Sequence, residues 1–162
     1  MNQTEETKCL KTLLRHIDNV RSNCCILGER LIDKGEVELG HKLIANGYRH
    51  DNSKFHGVEW FYLNEESREQ TPDLFKSALL QHTSSLNNKH HPEAWVDGIH
   101  SMDRLHLAEF VCDIAARGGE FGTDIRGWIR EKATKKYSMT VQSKAYKTIK
   151  ELVDMLLDEQ FS

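Results

Sequence analysis

Apolar residues recur at three- and four-residue spacings along most of the chain, and only two prolines, Pro72 and Pro92, interrupt its 162 residues. That periodicity is the signature of helices with one buried face. Leu10, Leu13, Leu14, Ile17, Cys24, Leu27 and Leu31 mark a long first helix. Gly35 is its expected stop, and Gly47 breaks the pattern again just before a His-Asp pair. Pro72 suits the first turn of a helix through Phe75, Ala78, Leu79 and His82. Ser84 to Lys89 reads as loop, and Pro92 to Val96 as a short helix. Asp103 is placed to cap a helix through Leu107, Val111 and Ala115, with Gly118-Gly119 as its expected end. Ile149, Leu152, Val153, Leu156 and Leu157 form an i, i+3, i+4, i+7, i+8 stripe for a final helix. Strand signals are weak everywhere. The expectation is an all-α fold, a single domain over 1–162.

On these helices sits an ordered set of metal-ligand types: His16, His50-Asp51, His82, His90-His91 and Asp113. Imidazole and carboxylate are the usual ligands of zinc, iron, manganese and similar cations. Seven such groups are enough for two ions. The adjacent histidines can point in different directions, so either His90 or His91 is the expected ligand, with the other as an outer contact. Lys54 follows the pair; were this stretch helical, His50 and Lys54 would share a face at i, i+4. His106, Glu109, Asp113 and Arg117 form a polar strip on one helix, flanked by Phe110, Ile114 and Ala116. A polar strip between apolar borders suits a helix lining a pocket. Glu109 is then an acceptor for a ligand histidine and Arg117 a phosphate contact. His41, His56, His100 and His106 have no place in the ligand order, although His56 and His106 can reach a pocket.

Net charge is −3, so bulk attraction to nucleic acid is not expected. Charge is uneven: Arg126, Arg130, Lys132, Lys135, Lys136, Lys144, Lys147 and Lys150 crowd one region, opposed there by Asp124 and Glu131. That run reads as a solvated face or as a rim that draws a phosphorylated ligand. No apolar run approaches the length of a membrane span, and Met1 to Lys8 is polar, without a signal-peptide stretch. The expectation is a cytoplasmic protein whose four cysteines are reduced packing thiols. Trp60, Phe61, Tyr62 and Trp95 read as core residues, with stacking on a nucleobase as the alternative.

The order His, His-Asp, His, His-His, Asp resembles the HD-domain superfamily of metal-dependent phosphohydrolases. The fuller pattern is similar to its binuclear branch, which includes the HD-GYP phosphodiesterases and has a lysine where Lys54 stands. His90-His91-Pro92-Glu93 and Asp97-Gly98 resemble the His-His-Glu and Asp-Gly of that signature, while Ile99-His100-Ser101 stands where Gly-Tyr-Pro would. Tyr48 to Phe55, His82, His90 to Trp95 and Cys112-Asp113 look closer still to a small family of HD-like bacterial and phage proteins. The resemblance spans roughly Leu10 to Arg117.

It implies an HD-like helical bundle around two divalent transition-metal ions (Fe, Mn, Zn or Co), held by His16, His50, Asp51, His82, His90 or His91, and Asp113. Asp51 and Lys54 would then be catalytic, with Lys54 and Arg117 binding substrate. The implied chemistry is phosphoester hydrolysis of a small anionic substrate, a nucleotide first among them. Two other readings stay open. The same ligand order resembles HD-type di-iron oxygenases, and an HD fold can also serve as a non-catalytic, metal-bound binding protein.

Overall fold

Thirty-one residues without a proline build α1 (Gln3–Asp33), which spans roughly 46 Å at the α-helical rise. Its inward stripe, Val20, Cys24, Leu27 and Leu31, is wholly buried. The computed structural model, which describes residues 3–158, turns the chain at Gly35 (φ +88°) and lays α2 (Val37–Gly47) back along α1. The two helices pack closely because glycines face each other. A methyl group on Gly28 would stand 2.6 Å from Ile44 Cγ1, and one on Gly47 2.7 Å from Cys24 Cβ.

The hairpin packs on α6 (Arg104–Phe121) and, across it, on α9 (Lys144–Leu157). Asp103 caps α6 by accepting from the His106 amide, as its position suggests. The helix does not stop at Gly118-Gly119. Gly118 is buried against Ile125, so packing carries the helix through both glycines, and it ends at Gly122 in the left-handed conformation (φ +66°). The final stripe is buried as expected at Ile149, Leu152, Val153 and Leu156, with Met155 added, whereas Leu157 is partly exposed. Between α6 and α9 run α7 (Ile125–Trp128), a π-helical turn at Ile129–Ala133 and α8 (Thr134–Lys136).

The basic run of this region meets acids that only the fold supplies. Arg126 pairs with Asp154 on α9 and with Asp158 just past its end, and Lys150 pairs with Asp154. Arg130 pairs with Glu131, the Lys136 ammonium lies over the Tyr137 ring, and Lys132, Lys135, Lys144 and Lys147 are exposed.

The chain from Tyr48 to Ser101 is of another kind. It holds three helices, α3 (Gly57–Tyr62), α4 (Glu65–Gln70) and α5 (Pro72–Ser84), joined by turns. Pro72 stands in the first turn of α5, and the chain from Ser85 to His91 forms no helix. The expected helix at Pro92 to Val96 shrinks to a 3₁₀ turn, Pro92–Ala94. Among the described residues the protein is all-α, a helical bundle without strands. None of the helices among the described residues is long and apolar enough to cross a membrane.

Candidate metal centre

Five segments converge on one buried chamber. His16 comes from α1, His50 and Asp51 from the turn after α2, His82 from the end of α5, and Asp113 from the middle of α6. His90 and His91 come from the loop that follows α5. His16, His50, Asp51, His82 and His90 are each 2–3% exposed. Solvent reaches the chamber at Asp113, Lys54 and His91, which are only partly buried.

The backbone at the His-Asp pair is not α-helical, so the expected i, i+4 face of His50 and Lys54 does not form. Asp51 takes the left-handed conformation (φ +55°), which aspartate tolerates better than most residues, and a 3₁₀ turn over Asn52–Phe55 follows. The tighter turn carries Lys54 to Asp51 instead, where its ammonium lies 2.5 Å from Oδ2.

Asp51 sits at the middle of the donor set, and its two oxygens face different histidines. Oδ2 lies 3.5 Å from His50 Nε2 and 3.8 Å from His16 Nε2. Oδ1 lies 3.3 Å from His82 Nε2 and 3.6 Å from His90 Nε2. His16 Nε2 also stands 3.1 Å from Asp113 Oδ1, and the Nε2 atoms of His82 and His91 stand 3.0 Å apart. Three overlapping groups result: Asp51, His82, His90 and His91; His16, His50 and Asp51; His50, His90 and Asp113. Both His90 and His91 therefore turn their rings to the chamber, and neither is diverted outward.

Every histidine except His91 is held from behind by a carboxylate. His16 Nδ1 donates to Glu120 at 3.0 Å, His50 Nδ1 to Glu109 at 3.2 Å, and His82 Nδ1 to Glu59 at 2.8 Å. His90 Nδ1 lies 3.3 Å from the same Glu109 oxygen. A carboxylate on Nδ1 places the proton there and leaves Nε2 with its lone pair facing the chamber. Ser53 donates to Glu59, and Asn88 donates to Ser53 and to the His82 carbonyl, which fixes that corner.

Five of the forward-facing atoms are left without a hydrogen bond. Nε2 of His16, His50 and His90, together with Oδ1 of Asp51 and of Asp113, are buried and lack a hydrogen-bond partner among the described residues. Leaving one buried polar atom unsatisfied costs about 1–3 kcal/mol, so five around one gap are a large penalty unless a ligand completes them. Nitrogen and oxygen donors facing a shared gap are what a transition-metal cation with bonds of about 2 Å requires. The residues present fit metal ions.

Charge supports the same conclusion. Burial works to raise the Asp51 carboxyl, but the Lys54 ammonium and His50 overcome it and hold it well below its ordinary value. Burial likewise opposes ionisation of Asp113, and His16, His50 and His90 outweigh it. Glu109 is held low against burial by its bonds to His50 and His90. Burial pushes His50 down, but Asp51, Glu109 and Asp113 raise it to about 9. Burial and the neighbouring His90 push His91 down to about 3, so His91 is neutral and its nitrogen is free to bind a cation. Carboxylates packed this tightly demand positive charge, which protons or metal ions can bring.

All seven expected ligands thus meet, and Glu109 has the expected supporting place. Arg117 does not reach the chamber. It is exposed and bonds Glu120, so it stands behind the histidine layer instead of on its open side. His56 and His106 line a cavity beside the chamber, as their positions allow. Trp95 packs on the core and donates its indole N–H to the Lys89 carbonyl, and Phe61 is exposed, so neither forms a stacking platform at the chamber.

Sequence reading missed Glu59, Glu120, Asn88 and Ser53. Glu120 had a signal, since it continues the Glu109–Asp113 strip at i+11 and i+7. Glu59 and Asn88 had none, because only the packing of α3 and of the turn after α5 brings them to His82.

A family model described as a family of unknown function (DUF5662) matches residues 5–156, which include every one of these groups. The chain belongs to that family. No curated protein and no solved structure matches the chain.

Proposed function

We propose that this protein is a binuclear metal-dependent phosphohydrolase of the HD-domain type, acting on a small phosphate ester. The observation that carries the proposal is the set of five buried donor atoms left without partners around Asp51. The ligand order resembles that of HD-domain enzymes, and the bidirectional approach of Asp51 supports two ions instead of one. His16, His50 and Asp113 would hold the first and His82 and His91 the second, with Asp51 between them and His90 within reach of both. Two divalent transition-metal ions would supply Lewis acidity and a water ionised near neutral pH.

The chain's own groups do the rest. Glu59, Glu109 and Glu120 keep the histidines oriented and their Nε2 atoms free. Lys54 has three donor hydrogens, and Asp51 takes one. The others are available to a phosphoryl oxygen at the open edge, where they offset charge that accumulates during displacement. The low-lying carboxylates of Asp51 and Asp113 stay ionised through the physiological range, so the site keeps its demand for cations.

Elemental analysis of protein purified without a metal-affinity tag, then reconstituted with iron, manganese, zinc or cobalt, tests the centre. Up to two ions per chain are expected, and at least one is lost in Asp51→Ala. Wild-type protein that holds no metal above background would falsify the site. A screen of nucleoside mono- and triphosphates, cyclic mono- and dinucleotides and a generic phosphodiester then tests the reaction. Nucleotides are the first class to try. Turnover that vanishes in Asp51→Ala, and that Lys54→Ala lowers without emptying the centre, is the expected result. Full metal with no turnover, or with oxygen uptake on an inositol or phosphonate, sinks the hydrolase reading.

A further inference from the structure

A cavity of about 470 Å³ adjoins the chamber without being part of it. Its wall includes His50, Asp51 and Glu109, but none of His16, His82, His90, His91, Asp113 or Lys54. It therefore meets the chamber on the side of His50, Asp51 and Glu109. The volume is in the range of small-molecule pockets.

Its lining is rich in amides and cations. Asn46, Asn52, Asn87 and Asn88 face it, and Leu86 is its one aliphatic side chain. Phenylalanine, tyrosine and tryptophan are absent from it. Each asparagine side chain offers donors and an acceptor, the combination that complements hydroxyl groups. Asn88 spends its NH₂ on Ser53 and the His82 carbonyl, which leaves its own oxygen to accept. Asn52 and Asn87 are exposed.

Arg49 and Lys89 supply positive charge. The Arg49 guanidinium bonds the Asn46 side-chain oxygen, the Lys89 ammonium stands 5.7 Å over the Trp95 ring, and neither forms an ion pair among the described residues. The two carboxylates in the lining, Asp51 and Glu109, are buried and already face Lys54 and His50.

We propose that this cavity is a second binding site, for a hydroxyl-rich phosphate ester of the sugar-phosphate or polyol-phosphate class. Two unpaired cations specify the anion, since charge-assisted bonds to phosphate are the strong ones. The amides specify the hydroxyls, and a lining whose rings are all imidazoles, His50, His56 and His106, gives a nucleobase a smaller stacking face than an indole or phenyl ring would. Such a ligand would reach the metal centre through one residue. Asn46 lines the cavity and donates to Glu109 Oε2, while Oε1 of the same carboxylate holds His50.

The test is calorimetric binding to the whole chain, independent of turnover. The probes are glucose 6-phosphate, ribose 5-phosphate, inositol 1-phosphate, free glucose, inorganic phosphate and adenosine monophosphate. At least one of the three sugar or polyol phosphates should bind about tenfold more tightly than inorganic phosphate and than free glucose. Arg49→Ala and Lys89→Ala should each weaken it about tenfold while metal content stays at the wild-type level. Both side chains lie at the surface or half-buried, so the variants should fold. The proposal is overturned if none of the three outbinds phosphate, if adenosine monophosphate binds best, or if both variants bind like wild type.

Discussion

Two regions of this molecule bury their interiors in opposite ways. The bundle of α1, α2, α6 and α9 encloses Val20, Leu27, Leu43, Val111, Ile149 and Leu152, all at 0% exposure. The stretch from residue 48 to 98 buries almost nothing apolar beyond Ala78 and Pro92. What it buries is His50, Asp51, Glu59, Ser67, His82, Asn88 and His90. Several of its large apolar side chains point outward instead, with Phe61 at 60%, Leu80 at 65% and Leu86 at 74% exposed. The bundle gains stability as any hydrophobic core does, by roughly 25 cal/mol per Å² of apolar surface removed from water. The 48–98 stretch has no such reserve. Its interior is polar, and buried polar groups help only when they are satisfied. The polar interior of this region is suited to completion by cations, and such binding would couple its order to its metal content.

The largest expected effect breaks the two regions apart. Stripping metal-loaded protein with a chelator should speed amide hydrogen exchange in 48–98 by about a thousandfold, the equivalent of metal present at ~1,000 times its Kd. Exchange in α1, α6 and α9 should change far less. A uniform rise across the whole chain would mean that the regions fold as one unit.

The converse variant acts on the bundle. Leu152→Ala removes a wholly buried side chain and should cost about 3 kcal/mol in denaturant unfolding. At low temperature, where the variant is still folded, it should keep the wild-type metal stoichiometry. Loss of metal in the folded variant would show that the core also sets the chamber's geometry.

A smaller effect divides the chamber itself. Glu59→Gln and Glu120→Gln each exchange the carboxylate behind one histidine for a neutral amide. Each should weaken metal binding about 10–100-fold in a competition titration, while the unfolding midpoint of metal-free protein moves little. Glu59→Gln should act through His82 and Glu120→Gln through His16, so the two should weaken different ions. Equal loss of both ions in both variants would contradict two separate half-sites.

A last effect is on pH. With its pKa near 9, His50 carries a proton below that value and must release it to bind a cation. Apparent metal affinity should therefore fall about tenfold per unit as pH drops below 9, and level off above it. Asp51 and Asp113, held low, stay ionised in this window and add no slope. A flat profile between pH 6 and 9 would show that His50 is not a ligand.

How legible this was varies by residue. The stripe at Ile149 to Leu156 needed no tertiary information, because a 3.6-residue period reports a buried helix face directly. Asp103 announced its cap in the same way. Gly118-Gly119 misled, since a glycine pair reads as a stop, and only the packing of Gly118 on Ile125 shows why the helix continues. The basic run from Arg126 to Lys150 looked nearly unopposed because Asp154 and Asp158 lie beyond it in the chain. Lys54 was tied to the correct site through the wrong neighbour, because the left-handed backbone of Asp51 is not written in the identity of an aspartate.

What the sequence by itself determined is the helical period, the caps and the inventory of donors. These are local properties, set by spacing along one chain segment. The tertiary structure decided which histidine nitrogen faces the chamber, since that depends on Glu59, Glu109 and Glu120 arriving from other elements. It also decided that both His90 and His91 turn inward, that Arg117 stands behind Glu120, and that Asp51 presents one oxygen to each side. Those are relations between residues up to about a hundred positions apart, and no local propensity encodes a contact across that distance.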